Sequence, residues 1–151
     1  MTRRQMNAWA ATFENWADCD TVCFKLFDQT PFAWEKARQW SGSRRLFVKR
    51  GGFVLMACLA LHDKAAPDKS FVTLLRVIEK GARDERNFVK KGVSWALRSI
   101  GRRNLALNVA AIAAAKRLAL SEEAAPRWVG KDALRELSSS KVRAQLARRA
   151  R

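Results

Sequence analysis

Several ingredients of the commoner enzyme classes are scarce in this 151-residue chain. It has one histidine, His62, and three cysteines, Cys19, Cys23 and Cys58, with no Cys-x-x-Cys pair. That set is too small for a zinc site, so no metal and no other cofactor is expected. Cys19 and Cys23 are four apart and Cys58 sits inside an apolar run; they read as core thiols of a reducing compartment. Long apolar runs are also missing. The longest, Phe53 to Leu61, is far too short to span a bilayer, and the opening MTRRQMNAWA lacks the apolar stretch of a signal peptide. The expectation is no membrane partner and a cytoplasmic or nucleoid-associated location. With only 3 prolines and 7 glycines against abundant Ala, Leu, Arg and Lys, the composition favours helices over strands.

Acid is the remaining scarcity: 14 Asp and Glu face 30 Lys and Arg, for a formal charge of +16. The imbalance is also localised. Residues 1–42 are balanced, with Arg3, Arg4, Lys25, Lys36 and Arg38 against Glu14, Asp18, Asp20, Asp28 and Glu35. The whole excess therefore lies in residues 43–151. A one-sided basic surface on a folded domain points to a polyanion, most often nucleic acid. At 48% apolar residues the chain has enough material for one domain with a modest core.

The three prolines fall where helices would begin: Pro31, Pro67 and Pro126 open segments with helical periodicity. In residues 44–62, Phe47, Gly51, Val54, Leu55, Cys58 and Leu61 form one stripe expected to be buried; in 85–103, Phe88, Gly92, Trp95, Ala96 and Ser99 repeat it. The letters repeat too. Phe47-Val48-Lys49-Arg50-Gly51 returns 41 residues later as Phe88-Val89-Lys90-Lys91-Gly92, and more weakly as Trp128-Val129-Gly130-Lys131. A period of about 40–47 residues with two helices per unit marks HEAT or armadillo stacking. The predicted fold is therefore all-α, a HEAT-like or armadillo-type solenoid of antiparallel helix pairs with a basic concave face. It would occupy residues 1–138, followed by a basic helix or tail over 139–151. In such a stack Lys49/Arg50, Lys90/Lys91 and Lys131 align as a stripe, where isolated charges would be merely a solvated face.

Two places stand out as sites. Trp9, Phe13, Trp16, Asp20, Cys23 and Phe27 share one face if residues 5–28 form a single helix, and Asp20 then interrupts an aromatic surface. A carboxylate there must be paired or must face a cleft. If instead Asn15 caps a new helix, Trp16 is its first residue and Asp18 lies in its first turn, and Asp20 needs a less special explanation. The second place is Lys91, Trp95, Arg98 and Arg102, spaced to put an indole amid three cations on one helical edge. Trp95 and Arg98 stand where the preceding repeat has Val54 and Ala57, a local departure that hints at function.

The stretch Asp84-Glu85-Arg86-Asn87-Phe88-Val89-Lys90-Lys91-Gly92-Val93-Ser94-Trp95-Ala96-Leu97-Arg98 resembles the signature of the AlkD-like DNA alkylation repair family. Asn15-Trp16-Ala17-Asp18-Cys19-Asp20 resembles that family's Trp-x-x-x-Asp element, and Phe47-Val48-Lys49-Arg50 its middle arginine helix. The likeness runs collinearly over roughly residues 7–138. It implies a DNA glycosylase that removes purines alkylated at N3 or N7 from duplex DNA, with Trp16, Asp20 and Trp95 in the catalytic cleft. Arg50 and Arg98 would hold the backbone beside the lesion, with Lys49, Lys90 and Lys91 adding DNA contacts from the stripe and Arg102 from the edge that carries Trp95. Such a purine is cationic and leaves as a neutral base without a general acid, so one carboxylate and two indoles can serve the positive charge developing on the sugar. No lysine is marked out as a Schiff-base former, so a monofunctional hydrolase is expected. Members of the family usually extend by about two more repeats at the amino end, so an exposed terminal repeat, covered by a second copy of the chain, is also expected. The alternatives are a non-catalytic DNA-binding module and, further off, a solenoid that binds an acidic protein.

Overall fold

The computed structural model describes residues 1–150, and all regular structure among them is helical. In chain order the helices are α1 (Arg3–Ala10), α2 (Trp16–Lys25), α3 (Ala33–Ser41), α4 (Leu46–His62) and α5 (Asp68–Gly81). They continue with α6 (Asn87–Gly101), α7 (Leu105–Ala119), α8 (Ala124–Leu137) and α9 (Ser140–Ala150), and a single 3-10 turn, Phe27–Gln29, follows α2. The helices begin where local chemistry starts them. Thr2 and Gln5 form a reciprocal capping box on α1, Asn15 accepts from the Asp18 amide on α2, and Asn104 accepts from the Leu107 amide on α7; each satisfies an otherwise unpaired amide. Pro67 immediately precedes α5 and Pro126 lies in the first turn of α8, as expected, while Pro31 stands two residues ahead of α3.

Asn15 decides the question left open at the amino end: residues 5–28 are two helices, α1 and α2, separated by Ala11 to Asn15. Met6, Ala10 and Phe13 are buried, whereas Trp9 remains 43% exposed with its ring edge-on to Phe27.

The even-numbered helices lie side by side. Cys19 and Cys23 of α2 both reach carbonyls 28 residues ahead, at Phe47 and Gly51 of α4. The rings of Phe47 and Phe88, equivalent in the repeat, sit 5.4 Å apart. Ser94 and Arg98 of α6 both meet carboxylates 38 residues ahead, at Asp132 and Glu136 of α8. A constant offset along two helices means that they run in the same direction. The odd-numbered helices back them: α3 against α4, α5 against α6 and α7 against α8.

α4 is central, and this corrects the predicted stripe. Every residue from Arg50 to Ala60 is buried, because α2, α3 and α6 cover it from three sides, while Leu61, expected inside, is 50% exposed. In α6 the buried face is Val89, Val93, Ala96, Leu97 and Ile100, shifted from the predicted one, so that Phe88 is 37% exposed and Trp95 and Ser99 are half-buried. The far ends of α4 and α6 are joined by Arg103, whose guanidinium donates to the carbonyls of Ala60, Asp63 and Ala66 at 2.9, 2.7 and 3.1 Å and stacks over Phe71. The basic tail is a helix over Ser140–Ala150, with Val142 and Leu146 buried against the body; Arg151 lies outside the described residues.

Candidate functional site

With Trp16 at the start of α2, Asp20 follows one turn later, on the same side of the helix. Asp20 does not stand alone. Arg50 of α4 grips it through two bonds, Nε to Oδ1 at 3.0 Å and Nη2 to Oδ2 at 2.8 Å. The third guanidinium nitrogen, Nη1, donates to the carbonyl of Phe88 at 2.7 Å. One side chain thus links α2, α4 and the first turn of α6. Gly92 lies against it, with the position of a Cβ there 3.4 Å from Arg50 Cγ, an ordinary contact distance. Gly51 faces α2, with both cysteine sulfurs within 3.8 Å of where its Cβ would be.

Beside this ion pair lies a cleft of about 320 Å³ lined by Arg50, Lys91, Trp95, Arg98, Trp128 and Asp132. Its Arg98, and Arg102 next to it, are held from α8. Asp132 accepts from Ser94 Oγ at 2.6 Å and lies 4.0 Å from Arg98 Nε, and Glu136 meets Arg98 at 3.4 Å and Arg102 at 3.5 Å. Trp95 also borders a second, larger cleft of about 580 Å³, which reaches Phe24, Cys58, Lys64, Arg102 and Arg149.

Of the residues singled out in the sequence, Arg50, Lys91, Trp95 and Arg98 line one cleft, Arg102 lines the adjoining one, and Asp20 lines neither but is joined to the first through Arg50. Three others line neither cleft, though Lys90 borders the smaller one through Trp128. Trp16 is 52% exposed and lines neither cleft. Lys49 is paired at 2.9 Å with Asp84, itself held by Arg86, and Lys90 stacks 4.8 Å over Trp128. Arg50 is only 7% exposed, with all three nitrogens engaged. The site residues missed in the sequence are Trp128, Asp132 and Glu136. A signal for the carboxylates was present: two acids four apart stand opposite two arginines four apart, about one repeat away.

The cysteines are not placed for chemistry. Cys23 is pushed well above the usual thiol range by its hydrogen bond with Cys19 and by burial, and burial likewise raises Cys58, which disfavours the reactive thiolate. Among the described residues no group of three or more His, Cys, Asp or Glu could hold a metal ion, and no helix is long and apolar enough to cross a membrane. What the site offers is a fixed carboxylate, π faces and a bank of cations.

The family model for DNA alkylation repair enzymes matches residues 2–137, nearly the whole chain. No curated protein and no solved structure gives a match. The chain belongs to the DNA alkylation repair enzyme family.

Proposed function

We propose that this DNA alkylation repair enzyme is a monofunctional glycosylase, hydrolysing the N-glycosidic bond of cationic N3- or N7-alkylated purines in duplex DNA. The observation that carries the reading is the Asp20 carboxylate, fixed by Arg50 beside the cleft that holds Trp95, Lys91 and Arg98. A carboxylate whose orientation is set in advance can oppose positive charge developing on the sugar and orient a water, without reorganising during the reaction. The indole of Trp95 adds a π face worth ~1–2 kcal/mol toward a desolvated cation. Arg98, Lys91 and Arg102 would take the flanking phosphates, and Trp16 would approach from the solvent side. A neutral purine needs a proton to leave, and the cleft's own carboxylate, Asp132, is engaged with Ser94 and Arg98, so the reading carries selectivity for charged lesions.

The packing also supports reading the helix pairs as HEAT-like units. Trp34 near the start of α3 bonds Asp63 just past the end of α4, while Gly52 early in α4 touches Ala37 to Ser41 late in α3. The same reversal joins Asn108 to Leu137 and Gly130 to Ala119. On this reading the α2, α4, α6 and α8 edges form the DNA-facing, concave side.

The test is release of 7-methylguanine or 3-methyladenine from methylated duplex DNA, with Asp20→Asn beside the wild type. Release that falls at least about a hundredfold in the variant is expected for a lost electrostatic contribution. No release by wild type at high enzyme concentration would sink the glycosylase reading. One observation favours the second reading, a non-catalytic DNA-binding module: the same arginine that fixes Asp20 neutralises it. In that case Asp20→Asn leaves duplex binding intact or strengthens it.

A further inference from the structure

The last helix, α9, begins after the residues that match the family model, yet it walls the larger cleft. Its buried Val142 and Leu146 seat it on the body, and Gln145 and Arg149 line the cleft from its other side. Arg149 Nη1 donates to the carbonyl of Arg102 at 2.6 Å, at the end of α6, where orphan carbonyls and the helix dipole both favour a cation. That bond uses one of five guanidinium donors. The others are not claimed by any carboxylate among the described residues.

The lining is one-sided in charge. It carries Lys64, Arg102, Arg103 and Arg149 and no carboxylate, whereas the smaller cleft contains Asp132. These four cations are not equivalent. Arg103 is committed to three carbonyls, and Arg102 lies against Glu136. Lys64 is exposed and, like Arg149, has no acidic partner among the described residues. Ser99, Asn104 and Gln145 add neutral hydrogen-bonding groups, and Trp95 forms a wall shared with the cleft beside Asp20.

We infer that α9 completes a binding site for the backbone phosphate of duplex DNA in this cleft, with Arg149 and Lys64, which pair with no carboxylate among the described residues, as its cations. A strand held there would pass across Trp95 on its way to the Asp20–Arg50 pair, so α9 would fix the approach of the DNA. The inference rests on the reading of the chain as a DNA-acting enzyme, and adds a contact from a helix outside the matched residues.

The experiment is fluorescence anisotropy of an undamaged labelled duplex over a series of KCl concentrations, which needs no base release. Arg149→Ala and Lys64→Ala are each expected to weaken binding about fivefold at low salt and to lower the log–log salt slope by about one. Arg148→Ala removes the same charge from the next residue, which does not line the cleft, and is expected to do much less. Gln145→Glu changes the charge by the same amount while leaving the anchoring residues of α9 in place, and is expected to weaken binding as Arg149→Ala does. Circular dichroism checks that the helical content is kept. If all of these variants match Arg148→Ala, the cations act as diffuse charge and the inference is overturned while the glycosylase reading stands. Wild-type protein that fails to bind duplex at low salt overturns both.

Discussion

A carboxylate whose side chain is only 17% exposed has lost much of its hydration, and Asp20 recovers it from an arginine whose side chain is only 9% exposed. Such pairs contribute little net stability against an apolar substitute, yet removing one partner strands the other. Arg50→Ala is accordingly expected to cost about 3 kcal/mol, read as a shift in the urea unfolding midpoint. The Asp20→Ala/Arg50→Ala double variant should cost less than the sum of the single variants by at least about 1 kcal/mol; additive costs would show that the two are uncoupled. Activity of Asp20→Asn must then be read on protein verified as folded, since that variant loosens Arg50 too. Here the sequence was half legible. The aromatic face that demanded a partner or a cleft for Asp20 assumed one helix over residues 5–28, which Asn15 breaks, and the carboxylate is paired all the same. Its partner, 30 residues on, was marked for a different task, because the residue that faces across depends on the register of two helices.

Elements are positioned by what they lack as much as by what they carry. A Cβ on Gly52 would sit 2.4 Å from the backbone nitrogen of Ser41 and 2.9 Å from the carbonyl oxygen of Ala37, so α3 and α4 meet backbone to backbone there. Gly52→Ala would gain up to ~1 kcal/mol of helix propensity and lose more to overpacking against rigid main chain, ~1–3 kcal/mol or beyond. Thermal unfolding should show a clear net loss, whereas Gly42→Ala, with its nearest contact at 3.7 Å, should be neutral or mildly stabilising. A second junction is electrostatic. Asp84, just before α6, is held well below the usual carboxylate range, first by its hydrogen bond with Arg86 and then by Lys49 of α4. A depressed carboxyl stabilises the fold above its unfolded value, so this contribution is complete at neutral pH and is lost progressively below about pH 4. Asp84→Asn should flatten the acid limb of a stability-versus-pH curve; an unchanged limb would show that other groups set it. Helix starts were legible because Asn15, Pro67 and Pro126 act locally. The all-round burial of α4 was not, since periodicity reports one buried face and α4 has neighbours on three sides.

At the scale of the whole molecule, the stripe read from the repeat is only partly free. Lys49 is tied to Asp84, Arg50 to Asp20 and Lys90 to the face of Trp128, while Lys91 and Lys131 remain exposed. The period was legible as letters, but which cations stay available was decided by acids and rings one helix away. A charge of +16 still acts on the fold through self-repulsion. Raising the ionic strength from about 0.01 M to about 0.15 M shortens the screening length from about 30 Å to about 8 Å. That removes repulsion between distant cations and leaves pairs such as Asp20–Arg50, at 2.8 Å, largely intact. The melting temperature should therefore rise with KCl. Short duplex DNA at low ionic strength should raise it further, because it neutralises the same charges and a folded cationic track binds it more tightly than the unfolded chain does. Differential scanning fluorimetry checks both. A melting temperature that falls with KCl would mean that the surface ion pairs outweigh the repulsion. A rise with KCl but none with duplex would mean that the remaining cations are not arranged as a track for DNA.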